Sequence, residues 1–177
     1  MARRTAWRPS PTGSPAVTGD DGQARVTATA NSTLGSYIVV AAVPNVADAA
    51  AFTLANIEAP SLVVTTPRDV VDPFDGLTSL RDAIAYANSH PGPDTITFDP
   101  AVLGRRPVTI LLTGGPLVLT DPATTTITGP GAKRLKFSGG GKSRVFDIQG
   151  GSLALSGVTI ADGRADRGGG TPNQGGT

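Results

Sequence analysis

Chemistry would first be sought in the stretch KFSGGGKSRV, Lys136 to Val145, where three glycines run into Lys142 and Ser143. In a phosphate-cradling loop those residue types supply backbone N–H groups, an ammonium and a hydroxyl. The spacing argues against such a loop. Counting back from Gly141, the place of the first glycine in G-x-x-x-x-G-K-[ST] holds Lys136. After Ser143 comes RVFDIQGG, a β-type run, where a phosphate site needs a helix N-terminus. The segment reads instead as a corner between two strands, with Phe137 and Val145 stacked inward and Lys142 in solvent.

Carboxylates are the next candidates. Asp69, Asp72 and Asp75 stand at a spacing of three, but a calcium loop needs oxygens at alternate positions, Gly at the sixth and Glu at the twelfth, which DVVDPFDGLTSL lacks. These aspartates read as turn formers. A glycoside hydrolase needs two carboxylates flanking a cleft, and a lyase needs a base with calcium-binding acids. The acids further on are Asp94, Asp99, Asp121, Asp147, Asp162 and Asp166. Asp99, Asp121, Asp162 and Asp166 adjoin turn residues. Asp147 alternates with Phe146 and Ile148 and so points outward, with Ala165 eighteen residues on. His90 is the single histidine and there is no cysteine, so no His–Asp dyad, histidine cluster or thiolate site can be assembled. Ser138, Ser143, Ser152 and Ser156 have no base nearby in sequence. The expectation is therefore no catalytic, cofactor-binding or metal-binding residue, and no cofactor.

Charge agrees with that reading. Fifteen basic and fourteen acidic residues leave +1, so no bulk field draws the chain to nucleic acid or an anionic membrane. No uninterrupted apolar run of about 18 residues is present, so no membrane insertion is expected. Met1 to Pro11 is basic at Arg3, Arg4 and Arg8 but lacks an apolar stretch behind it, so no export signal is legible.

The elements that position these residues fall into three stretches. Residues 1–15 read as a disordered tail. Residues 16–57 read as a β module, with a turn at Asp20-Asp21-Gly22 and strands over Arg25–Thr29, Tyr37–Val43 and Ala51–Leu54; Tyr37 is a core tyrosine there. Residues 58–177 open with a strand at Leu62–Thr65, a loop through Asp75-Gly76, and one helix. Ser79 is its N-cap and Asp82 completes a capping box. Leu80, Ala83, Ile84 and Ala87 share its apolar face, leaving Arg81 and Asp82 outside. Asn88 supplies the stop, and Pro91-Gly92-Pro93 forbids continuation. His90, at this stop, is expected to be solvated.

Short strands follow, each ended by Gly, Pro, Asp or Asn. Leu117, Leu135 and Leu153 begin LVL, LKF and LAL at an interval of 18, which Ile127 and Val145 repeat. That period suits one coil of a parallel β-helix with Leu, Ile, Val and Phe stacked inward. Such a stack has an exposed first rung, and the amphipathic helix just before it reads as its cap.

Two resemblances add to this. DDGQARVTATAN, GSYIVVAAV and AAFTLAN resemble the C-terminal half of bacterial Ig-like repeats of invasin-type surface proteins, which implies a partial Ig-like module. DGLTSLRDAIAYANSHPGPDTITFDPAVLG resembles the C-S-L-R-E-A-I type of segment that leads into right-handed parallel β-helices of bacterial surface and secreted proteins, including relatives of polymorphic outer-membrane proteins. Ser79, Leu80, Arg81, Ala83, Ile84, Ala87, Asn88, Asp94, Ile96 and Phe98 match, while Thr78 replaces Cys and Asp82 replaces Glu. This resemblance implies a mainly β chain in which a capping helix and the first coils of a right-handed β-helix follow the partial module. The implied function is that of a non-enzymatic structural or adhesive module of an extracellular or cell-surface protein, with this chain a fragment. The implied partners are surface glycans or other proteins, and copies of the chain are expected to associate through the open coil end. The alternative is a fragment of a β-helix carbohydrate-active enzyme, a lyase or hydrolase.

Overall fold

The structure, a computed structural model, describes residues 16–25, 32–104 and 106–165, which divide into two compact units at Glu58/Ala59. The expected tail at 1–15, most of the expected strand at Arg25–Thr29, and Asp166 lie outside the described residues.

Among its described residues the first unit holds an antiparallel pair, β1 (Gly35–Ala41) and β2 (Ala50–Asn56), with Tyr37 opposite Leu54 and Val39 opposite Phe52. Tyr37 is half-buried, while Ile38, Val40 and Phe52 are exposed. Pro44-Asn45 and Asp48 break the β-branched run, and Asn45 adopts a positive φ of 64°, which turns the chain back.

The second unit is built from short parallel strands. In chain order they are β3 (Val63–Val64), helix α1 (Leu80–Ser89), β4 (Asp94–Phe98), a short helix α2 (Pro100–Leu103), β5 (Val108–Leu111), β6 (Leu117–Leu119), β7 (Thr124–Thr128), β8 (Leu135–Ser138), β9 (Phe146–Ile148), β10 (Ser152–Ser156) and β11 (Thr159–Ala161). They form three sheets with the orders β10-β7-β4-β3, β11-β8-β5 and β6-β9, every pairing parallel. From β4 onward the chain visits these sheets in fixed rotation, first, second, third, and repeats the cycle.

Alternation within each strand sends one set of side chains to a common centre. Ile96 and Ile127 stack in the first sheet with the partly buried Leu155, and Ile110 and Phe137 stack in the second with Ile160. In the third, Leu117 lies over Phe146 and Leu119 over Ile148. Phe137 is fully buried and joins all three: its ring centroid lies 6.0 Å from that of Phe98 and 6.0 Å from that of Phe146.

The interval of 18 does not survive. Paired positions are 31 residues apart from Ile96 to Ile127, 27 from Ile110 to Phe137, 29 from Leu117 to Phe146, 28 from Thr125 to Leu153 and 23 from Phe137 to Ile160. Leu117, Leu135 and Leu153 fall on the third, second and first sheets respectively. Eighteen residues therefore carry the chain from one sheet to another and not back to the same one. An inward apolar pattern is the same in every sheet, and self-similarity alone cannot tell strands of different sheets from strands that pair.

Glycine makes the corners where the backbone turns to positive φ or a side chain would collide. Gly140 and Gly141 have φ of 60° and 67° and close the KFSGGGKSRV corner, leaving Phe137 and Val145 buried and Lys142 exposed. Gly151 has φ of 58°, and a Cβ there would collide with the Ala123 carbonyl oxygen of the neighbouring corner.

Candidate functional site

The polar centre of the second unit lies around α1. Its N-terminus is the expected capping box: Asp82 N–H donates to Ser79 Oγ at 3.1 Å, and Ser79 N–H donates to Asp82 Oδ2 at 3.0 Å. Leu80, Ala83, Ile84 and Ala87 are buried, and the helix packs on β3, β4 and β6. Thr78 is buried, and its N–H donates to Thr65 Oγ1 at 2.8 Å.

Arg81 is not the solvated residue that helix periodicity suggests. Its side chain is only 22% exposed and grips Asp69, whose side chain is 1% exposed, through Nε to Oδ1 at 2.8 Å and Nη2 to Oδ2 at 3.0 Å. The same guanidinium donates to the carbonyl oxygens of Gly115 at 2.8 Å and Pro116 at 3.1 Å. Asp69 in turn accepts the N–H groups of Thr113 at 2.6 Å and Gly114 at 2.8 Å. Burial pushes the Asp69 carboxyl up, but the Arg81 hydrogen bond, those from Gly114 and Thr113, and the Arg81 charge together outweigh it and hold the group below its ordinary value. This clamp ties three segments: the loop before α1, the helix, and the corner between β5 and β6.

Asn88 also differs from expectation. The helix runs one residue further, to Ser89, with His90 as C-cap. The Asn88 amide donates to Val118 O at 2.8 Å, and its oxygen accepts Thr120 N–H at 2.9 Å, so it continues β6 as a side-chain strand would. His90 is exposed, its ring centroid 3.9 Å from that of Tyr86 and its Nδ1 2.9 Å from the Tyr86 carbonyl oxygen.

Of the remaining candidates, Ile96 is fully buried and Asp94 and Phe98 are half-buried on β4. Asp72 and Asp75 each accept an N–H two residues on, from Phe74 and Leu77. Asp99 caps α2, and Asp121 accepts Ala123 N–H. Asp162, with φ of 52°, accepts the Ser138 hydroxyl at 2.8 Å. Asp147 is opposite Val118, so the residue to compare with it is 29 positions back, not 18 ahead. Among the described residues no two carboxylates occupy paired positions on neighbouring strands, and no group of three or more His, Asp or Glu could hold a metal.

The sequence reading missed Asp69 as the clamp's acid. It lies in a loop, 12 residues before Arg81 and 44 before Thr113, with no periodic relation to either. Compared with protein-family models, curated proteins and solved structures, the chain has no match. Among the described residues no helix is long and apolar enough to cross a membrane.

Proposed function

We propose that the second unit is the capped start of a right-handed parallel β-helix and that the chain serves as a non-enzymatic structural or adhesive module of an extracellular or surface-exposed bacterial protein. The observation that carries this reading is the fixed rotation of the chain through three parallel sheets, with α1 held by the Asp69–Arg81 clamp against β6 and by its apolar face against β3 and β4. Parallel crossovers in one sheet are right-handed in about 98% of cases, which supports a right-handed turn. A helix over the first rung blocks pairing at that end, the need that open sheet edges create.

At the other end β9, β10 and β11 each stand last in their sheets among the described residues, so a further turn can pair there, from the same polypeptide or a second copy. Polar side chains converge around the helix in a set that satisfies one another, with no reacting pair of carboxylates among the described residues, which favours scaffold over enzyme.

The reading is tested by incubating the purified chain with polygalacturonate, alginate and xylan. Release of reducing ends or of unsaturated uronides would overturn the non-enzymatic assignment. Light scattering over a concentration series tests the open end: association that grows with concentration is expected, and a sharp monomer throughout counts against it.

A further inference from the structure

The outer row of the second sheet holds Thr109, Lys136 and Thr159 in register on β5, β8 and β11. Beside it runs a shallow groove of about 290 Å³ lined by Pro107, Thr109, Lys133, Arg134, Lys136 and Thr159. The described part of this unit carries nine Lys and Arg against nine Asp, a balanced total. Three of those cations line the one groove, no carboxylate lines it, and the exposed Arg106 precedes Pro107. Lys136 Nζ stands 3.8 Å from Asp162, which is engaged with Ser138. Arg134 is fixed by its Nη2, which donates to Gly104 O at 2.9 Å. Lys133 is exposed.

We propose that this groove binds a segment of an acidic glycan, a chain bearing sulfate or uronate groups. The chemistry fits on three counts. Guanidinium and ammonium groups match carboxylate and sulfate oxygens, and the anchored Arg134 presents its donors with little further loss of freedom. Thr109 adds a hydroxyl on the same row, about one strand spacing from Lys136, suited to sugar hydroxyls. The lining has no aromatic ring, which removes the stacking platform that single-stranded nucleic acid uses. The net charge of +1 makes the attraction local, so it belongs to the groove and not to the molecule as a whole. Nothing in this depends on further coils or on the capping role of α1, so its failure leaves the scaffold reading standing.

The full chain is titrated by calorimetry at low and raised salt with a heparin-derived hexasaccharide, a galacturonate hexamer, neutral maltohexaose and oligothymidylate. Expected is binding of the sulfated or the uronate hexamer, or of both, weakened by salt, with maltohexaose inert; which acidic hexamer binds tells sulfate from carboxylate recognition. Lys133→Glu, a change at an exposed side chain, should weaken it roughly tenfold by removing one contact and adding one repulsion. Arg68→Glu carries the same change in charge next to Asp69, at the other end of β5, and should leave the affinity within about twofold. No binding of either acidic hexamer, equal losses in the two variants, or tighter binding of oligothymidylate than of both glycans would overturn the proposal.

Discussion

Replacing Arg81 with Met keeps the length and apolar stem of the side chain and removes its charge, which isolates the clamp from packing. The Asp69 carboxylate, 1% exposed, would then keep the Thr113 and Gly114 N–H groups but lose both guanidinium bonds, and the Gly115 and Pro116 carbonyls would lose their donor. Removing one member of a buried pair costs about 3–5 kcal/mol. Arg81 is 22% exposed, so water partly replaces it, and the expected loss is about 2–3 kcal/mol. Asp69→Asn should cost about as much, because an amide cannot accept all four donors aimed at the carboxylate. In the double variant no charge is stranded, so the two losses should fall short of adding by about 1–2 kcal/mol. Urea denaturation followed by far-UV circular dichroism gives each value, and hydrogen exchange of the α1 amides shows whether the helix detaches first. A loss under about 0.5 kcal/mol for Arg81→Met, or strictly additive single losses, would refute the clamp as the element that holds the helix.

The Asp69 carboxyl is held below its ordinary value, so the stability it contributes is fully present above the unfolded carboxylate range near pH 4 and is lost as pH falls through the lower folded value; acid titration of stability should show this loss, and Asp69→Asn should flatten it. Asn88→Ala leaves Val118 O and Thr120 N–H without their partner and should cost about 1–3 kcal/mol by urea denaturation. Phe137→Ala empties the point where the three sheets meet and should cost about 3–5 kcal/mol, with loss of cooperativity in thermal melting.

Much of the second unit was legible because its elements are local. The box at Ser79 and Asp82, the stripe of Leu80, Ala83, Ile84 and Ala87, and the strands from β4 to β11 each follow from patterns within a few residues. The short helix α2 was missed, since DPAVLG carries too little periodicity to separate one helical turn from a loop, though Asp99 before Pro100 is a cap signal. What pairs with what was not legible: the interval of 18 was real in the sequence but joined strands of different sheets. Arg81 and Asn88 were misplaced for a related reason. Helix periodicity ranks positions against one apolar stripe, whereas Arg81 and Asn88 meet the corner and strand of β6 beside it. In the first unit the two strands were readable, but Ile38, Val40 and Phe52 remain exposed, and alternation alone did not say what either face would meet.

The clamp joins residues far apart in the chain: Arg81 reaches the carbonyls of Gly115 and Pro116, 34 and 35 positions on, and Asp69 reaches Thr113 over 44. Closing such long loops is slow compared with forming a helix turn. A clamp that closes after the folding barrier resists unfolding without hastening folding, and that is the order expected here. Arg81→Met should accordingly leave the refolding arm of the chevron nearly unmoved and raise the unfolding rate; a φ-value near one at this position would show that the helix is locked down early. On that expectation the helix is a latch that closes late and sets how long the folded end endures.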